Sequence, residues 1–138
     1  MMLRALALAA ALAACSAPAP SASVHGGLFY PRHDAPYGEG QMAGLDGVLA
    51  FRDGCLWIDA ADGSVLLPIW PSDTMPGVIN SLPVVLKSDR QLVLETGEPR
   101  LFAGSQVDAG RAAELVGAIP EPCLAEAYWV VTRVDRAP

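Results

Sequence analysis

Apolar residues fall into three regimes along the chain. Ala5 to Ala14 is an unbroken apolar run with three leucines, preceded by the cationic start Met1-Met2-Leu3-Arg4. Residues 16–43 are mostly small, polar, glycine or proline, with Leu28-Phe29-Tyr30 as an apolar exception. From Gly44 onward, short apolar runs alternate with turn residues, the rhythm of a β domain.

Leu45 to Arg52, Cys55 to Asp59 and Ser64 to Trp70 read as strands joined at Asp53-Gly54 and Asp62-Gly63. Asp-Gly between β-rich runs signals a tight hairpin, because glycine takes positive φ without a steric cost. A three-stranded antiparallel meander is therefore expected. Pro71, Pro76 and Gly77 make 71–82 read as a loop. Pro83 to Lys87 and Gln91 to Thr96 form a further predicted hairpin about Ser88-Asp89-Arg90, and Arg100 to Ala103 a short strand. Asp108 to Gly117 predicts the one helix, with Asp108 as its cap and Gly117 as its end. Tyr128 to Val134 predicts a closing strand, with Trp129, Val131 and Arg133 on one face and Tyr128, Val130 and Thr132 on the other. Trp57 and Trp129 are expected to fill the core. A body of residues 44–138 is small, and closing its sheet into a barrel would remove exposed edges.

The first regime reads as an export signal over residues 1–14. Ala5 to Ala14 is too short for a bilayer core of roughly 30 Å, which needs about 20 helical residues. Leu12-Ala13-Ala14-Cys15 matches the lipobox of bacterial lipoprotein precursors, so cleavage before Cys15 and lipidation of its thiol are expected. An ordinary signal peptide cut at Ala13-Ala14 is the plainer alternative. Stable anchoring needs more than one acyl chain, which a fully modified Cys15 supplies. Ser16, rather than Asp, follows the cysteine, which favours the outer membrane in a Gram-negative envelope. Residues 15–43 then form a lipidated N-terminus and flexible tether, in which Leu28-Phe29-Tyr30 either docks on the domain or is an apolar patch, and 44–138 form the domain.

Removing the signal leaves Cys55 and Cys123 beside the anchor. An even pair in an oxidising compartment points to a disulfide, and two buried thiols are the other arrangement the spacing allows. Neither cysteine adjoins a histidine or forms a Cys-x-x-Cys pair.

Composition narrows the chemistry. One lysine and a net charge of −6 leave no electrostatic footprint for nucleic acid. Both histidines, His25 and His33, fall in the predicted tether, and His33 with Asp34 and Glu39 lacks the fixed scaffold a metal needs. The pairs Asp59/Asp62 and Glu95/Glu98 flank turns and read as solvated hairpin ends rather than as paired catalytic carboxylates. No cofactor, metal or catalytic constellation is expected. Trp70, set between Pro68 and Pro71, reads as a rigid core edge or, if exposed, as a partner anchor, with Met75 beside it in the loop.

Gly47-Val-Leu-Ala-Phe-Arg-Asp-Gly-Cys55-Leu-Trp-Ile, Leu67-Pro-Ile-Trp-Pro71 and Pro122-Cys123 together resemble small two-cysteine exported bacterial domains, often lipoproteins and mostly of undefined function. The resemblance covers roughly 44–134. It implies a mainly β, antiparallel OB-like barrel of five or six strands with a short helix before the last, and transfers no catalytic residues. The functional expectation is a lipid-anchored, non-catalytic binding or accessory module of the cell envelope. The alternative is an inhibitor or protective factor against an envelope hydrolase, acting through residues 70–77.

Overall fold

A computed structural model describes residues 24–25 and 27–138, with only the backbone of Val24 and His25. The expected signal segment 1–14, Cys15 and the first residues of the expected tether therefore lie outside the described residues. The chain runs β1 (Val24–His25), β2 (Leu28–Phe29), β3 (Ala43–Arg52), β4 (Cys55–Ala60), β5 (Val65–Ile69), β6 (Thr74–Ile79), β7 (Leu82–Lys87), β8 (Leu92–Glu95), β9 (Pro99–Val107), α1 (Ala109–Val116) and β10 (Ala127–Arg136). It is mainly β, with two sheets and one α-helix among the described residues.

The expected meander is present. β3 and β4 pair antiparallel from Arg52↔Cys55 to Gly47↔Ala60, and β4 pairs antiparallel with β5. Asp53 and Gly54 both take positive φ at the first turn, as a tight hairpin with right-handed strand twist requires. β9 pairs antiparallel with β3 and with β10, and β10 returns beside β5 in parallel, with Ala127 opposite Leu66. That parallel pair departs from the all-antiparallel expectation. It arises because the long excursion through β6–β9 brings the chain back in the direction of β5.

Strands β4, β5 and β10 are apolar on both faces because each face is covered. Leu49, Leu56, Ile58, Leu66, Phe102, Trp129 and Val131 form one cluster, reached also by Val85 and Leu94 of the second sheet. On the opposite face, Trp57, Leu67, Ile69 and Tyr128 pack with Cys55, Cys123 and Ala112 of α1. Trp57 thus belongs to the layer beneath the helix, whereas Trp129 lies in the other cluster. The helix takes its sequence-predicted ends: the Asp108 carboxylate accepts from the Arg111 N–H, and the Gly117 N–H donates to the Ala113 carbonyl.

Cys55 and Cys123 are joined in a disulfide, with Cα atoms 5.6 Å apart and a sequence separation of 68. It links the start of β4 to the short 3-10 turn Glu121–Cys123 that leads into β10.

Three expectations are corrected. Residues 71–82 are not a loop, since Thr74–Ile79 forms β6, paired antiparallel with β7. Pro76 is tolerated because β6 is an edge strand, and Gly77 leaves space for Leu86, whose Cδ1 would lie 2.7 Å from a Cβ there. The face assignment of β10 fails beyond Val131, because the register shifts between Val131 and Arg133. The extra residue turns Arg133 out to solvent and Val134 into the core.

The third correction concerns the tether. Residues 28–41 are built into the domain. Phe29 N–H donates to the Gly54 carbonyl, Trp70 N–H to that of Pro31, and His33 N–H to that of Trp70. Tyr37 Oη donates to the Val134 carbonyl and accepts from the Val134 N–H, both at 3.0 Å, while Gly38 N–H donates to Thr132. These bonds give the irregular backbone the partners that its composition suggested it would seek in water.

Gly104 marks the closest strand approach. A Cβ there would lie 1.9 Å from the Val130 carbonyl oxygen and 2.9 Å from Trp129 Nε1. Gly104→Ala is expected to cost about 3 kcal/mol, the upper end for overpacking, by forcing β9 from β10. Urea unfolding of the variant checks this through its midpoint.

Candidate functional site

The residues singled out from the sequence do not converge. Trp70 is buried at 1 % exposure, with its ring stacked on Tyr30 at 5.7 Å and an interplanar angle of 2°. It is a core residue and offers no exposed anchor. Met75 is partly exposed on β6, and Thr74 beside it is buried, where its hydroxyl donates to the Pro71 carbonyl and accepts from Tyr30. The segment 70–77 is thereby fixed into strand and core and does not project as a loop.

His33 is also buried. Its Nδ1 accepts from the Ala35 N–H at 3.2 Å, which leaves Nε2–H to donate to the Val131 carbonyl at 2.7 Å. Both ring nitrogens serve the fold. Asp59 forms a bidentate pair with Arg52, both bonds 2.8 Å long. That bonding holds its carboxyl below the ordinary aspartate range and raises Arg52. Asp62 accepts from the N–H and hydroxyl of Ser64 and so closes its turn. No group of three metal-ligating side chains occurs among the described residues.

A polar groove of about 480 Å³ lies between the second sheet and strands β9 and β10. It is lined by Tyr37, Lys87, Glu95, Glu98, Arg100 and Asp135, among others. Much of that polarity is already engaged. Glu98 pairs with Arg100, Asp135 with Arg133, and Lys87 Nζ sits 4.6 Å from the centre of the Tyr37 ring. Burial raises the Tyr37 phenol above its ordinary value, against the lowering effect of its bond to Val134.

The β6–β7 hairpin carries a cluster of exposed apolar side chains at its tip. Residues 74–86 hold no charged side chain, between Asp73 and Lys87. Val78 is 72 % exposed, Ile79 41 % and Leu82 51 %. Pairing places Ile79 opposite Leu82 and Val78 opposite Pro83, so successive pairs point to opposite faces of the ribbon. On one side Val78, Pro76 and Pro83 line a groove of about 380 Å³ with Leu28 and the exposed Phe51. On the other, Ile79, Leu82 and Val84 border a smaller depression. Apolar side chains therefore stand on both faces of the tip, with Glu95 and Thr96 of β8 bordering the second face.

Asn80 and Ser81 close the hairpin, with φ of 51° and 65°. This two-residue turn suits Asn at its first position and glycine at its second, where Ser81 stands. Ser81→Gly is expected to stabilise the domain by about 0.5–1 kcal/mol by relieving the left-handed backbone. A small rise in the thermal midpoint would record it. The sequence signal for this site is the charge-free run around Asn80-Ser81, which the prolines disguised as a loop.

No helix among the described residues is long and apolar enough to cross a membrane. Comparison with known protein families, curated proteins and solved structures finds no match to this chain.

Proposed function

We propose that this chain is a lipid-anchored protein of the bacterial cell envelope that acts by binding, with the β6–β7 hairpin as its contact surface. The observation that carries the binding reading is that hairpin: Val78, Ile79 and Leu82 stand in solvent, while His33 and the Arg52–Asp59 pair are engaged within the fold. The anchor rests on Leu12-Ala13-Ala14-Cys15 and the short apolar run before it. A disulfide between Cys55 and Cys123 accords with an oxidising compartment.

The domain itself reads best as an OB-like barrel. The pairings β3–β4, β4–β5, β5–β10, β10–β9 and β9–β3 return to the strand where they began. A β-hairpin sheet is inserted between its third and fourth strands, and α1 precedes the last. Such a barrel is a rigid platform, and its ligand is set by what is mounted on it.

Fractionation tests the assignment. In a bacterial host, the wild-type protein should stay with membranes through high-salt and alkaline washes and leave only with detergent. Cys15→Ser should abolish acylation and change this behaviour, accumulating as unprocessed precursor or soluble protein. Release of the wild-type chain by salt alone would contradict the lipid anchor.

A further inference from the structure

We infer that the β6–β7 hairpin inserts its tip into the interfacial layer of the bilayer that carries the Cys15 lipid, so the domain is held at the membrane at two points. This inference rests on the anchor proposed above and names the partner of the same surface.

Chain length keeps the hairpin near the bilayer that would carry the lipid. Eight residues separate Cys15 from Val24, where the described backbone begins. Fully extended, that stretch spans no more than about 30 Å. Val24 pairs with Phe29, and the adjoining turn residue Gly27 lines the groove against Val78, Pro76 and Pro83. The tethered end of the domain and the apolar hairpin thus share one region of the surface. A lipid on Cys15 would hold that region close to the membrane.

The chemistry of the tip fits a bilayer better than a flat protein face. A flat protein surface covers one face of a ribbon. Here Val78 stands on one face and Ile79 with Leu82 on the other, which suits a medium that surrounds the tip. The ladder from Thr74↔Lys87 to Ile79↔Leu82 pairs the inner edge of β6, and the outer edge of this edge strand keeps its polar groups for water and lipid headgroups, which limits the contact to the interfacial layer. Thirteen consecutive positions, 74–86, lack charge, and the first lysine, Lys87, falls at the far end of the ladder. Side chains of this kind settle about 5–10 Å into the headgroup and acyl boundary when a lipid holds them there.

The test uses the acylated full-length protein reconstituted in phosphatidylcholine vesicles, with and without brominated acyl chains as contact quenchers. Val78→Trp places a reporter at the tip, and the wild-type protein supplies the background of the buried Trp57, Trp70 and Trp129. The introduced indole should emit at shorter wavelength on vesicles and lose most of its emission to the bromolipid. Adding Ile79→Asp and Leu82→Asp should abolish both changes while circular dichroism and disulfide content stay the same. An indole untouched by bromolipid on vesicle-bound protein would overturn the insertion, including the case where a dimer in detergent solution buries the tip.

Mass spectrometry of the N-terminal peptide separates the two readings. An acylated Cys15 with an unquenched tip leaves the anchor standing and removes the hairpin contact. An unmodified Cys15 with a quenched tip removes the anchor and leaves the contact.

Discussion

Trp70→Ala is expected to cost about 3–5 kcal/mol, a large part of the 5–15 kcal/mol that holds a domain of this size together. The indole is fully buried and stacked parallel and offset on Tyr30, whose own hydroxyl is committed to Thr74. Burial drives the Tyr30 phenol strongly upward in pKa, against the lowering effect of that hydrogen bond, so it stays neutral across the physiological range. Deleting the indole leaves a cavity between β5 and the segment 30–33, where Trp70 N–H and carbonyl pair with Pro31 and His33. The expected result is a lower urea midpoint together with early loss of protection at residues 28–41 in hydrogen exchange. A variant with unchanged stability would show that this segment does not depend on Trp70.

Opening the Cys55–Cys123 bridge is the second large effect. It closes a loop of 68 residues, for which the chain-entropy model gives about 4 kcal/mol. The two sulfurs also sit inside the apolar layer with Trp57, Leu67, Ile69 and Tyr128. Cys55→Ala with Cys123→Ala keeps that layer apolar while freeing the unfolded chain, and its cost combines the lost crosslink with the smaller loss of two buried sulfurs. A drop of about 4 kcal/mol in denaturant unfolding is expected, with the native α1 contacts loosened first. The same measurement on the reduced wild-type protein should agree within about 1 kcal/mol, since both lack the loop constraint.

What could be read from the sequence was local. The meander, the helix with its Asp108 and Gly117 ends, and the pairing of Cys55 with Cys123 each depend on patterns a few residues long or on simple counting. What could not be read was set by distant partners. Residues 28–41 look like linker because their glycines and prolines offer no periodicity, yet Tyr37 bonds to Val134 and His33 to Val131 across nearly 100 residues. β6 was hidden by Pro76 and Gly77, which are acceptable only because β6 is an edge and Leu86 lies over the glycine. The bulge after Val131 follows the same lesson: period-2 alternation held to Val131, and one extra residue exchanged Arg133 for Val134.

The candidate contact surface was legible only in part. Val78, Ile79 and Leu82 are ordinary core-type residues, and nothing in their order says they remain in solvent. The absence of charge from 74 to 86 was visible, but its meaning depends on β6 being a strand and on the hairpin tip staying exposed while its base packs into the core. Trp70, by contrast, drew attention as an aromatic between prolines and proved to be the stacking partner that locks the N-terminal segment down.

The central claim is that Cys15 ties this domain to a membrane, and the mass of the mature protein tests it most directly. Intact-mass and N-terminal peptide measurements on protein purified from bacterial membranes should find a chain beginning at Cys15 that carries a diacylglyceryl group on sulfur. A mature chain that starts elsewhere, or begins at Cys15 with an unmodified thiol, would contradict the account.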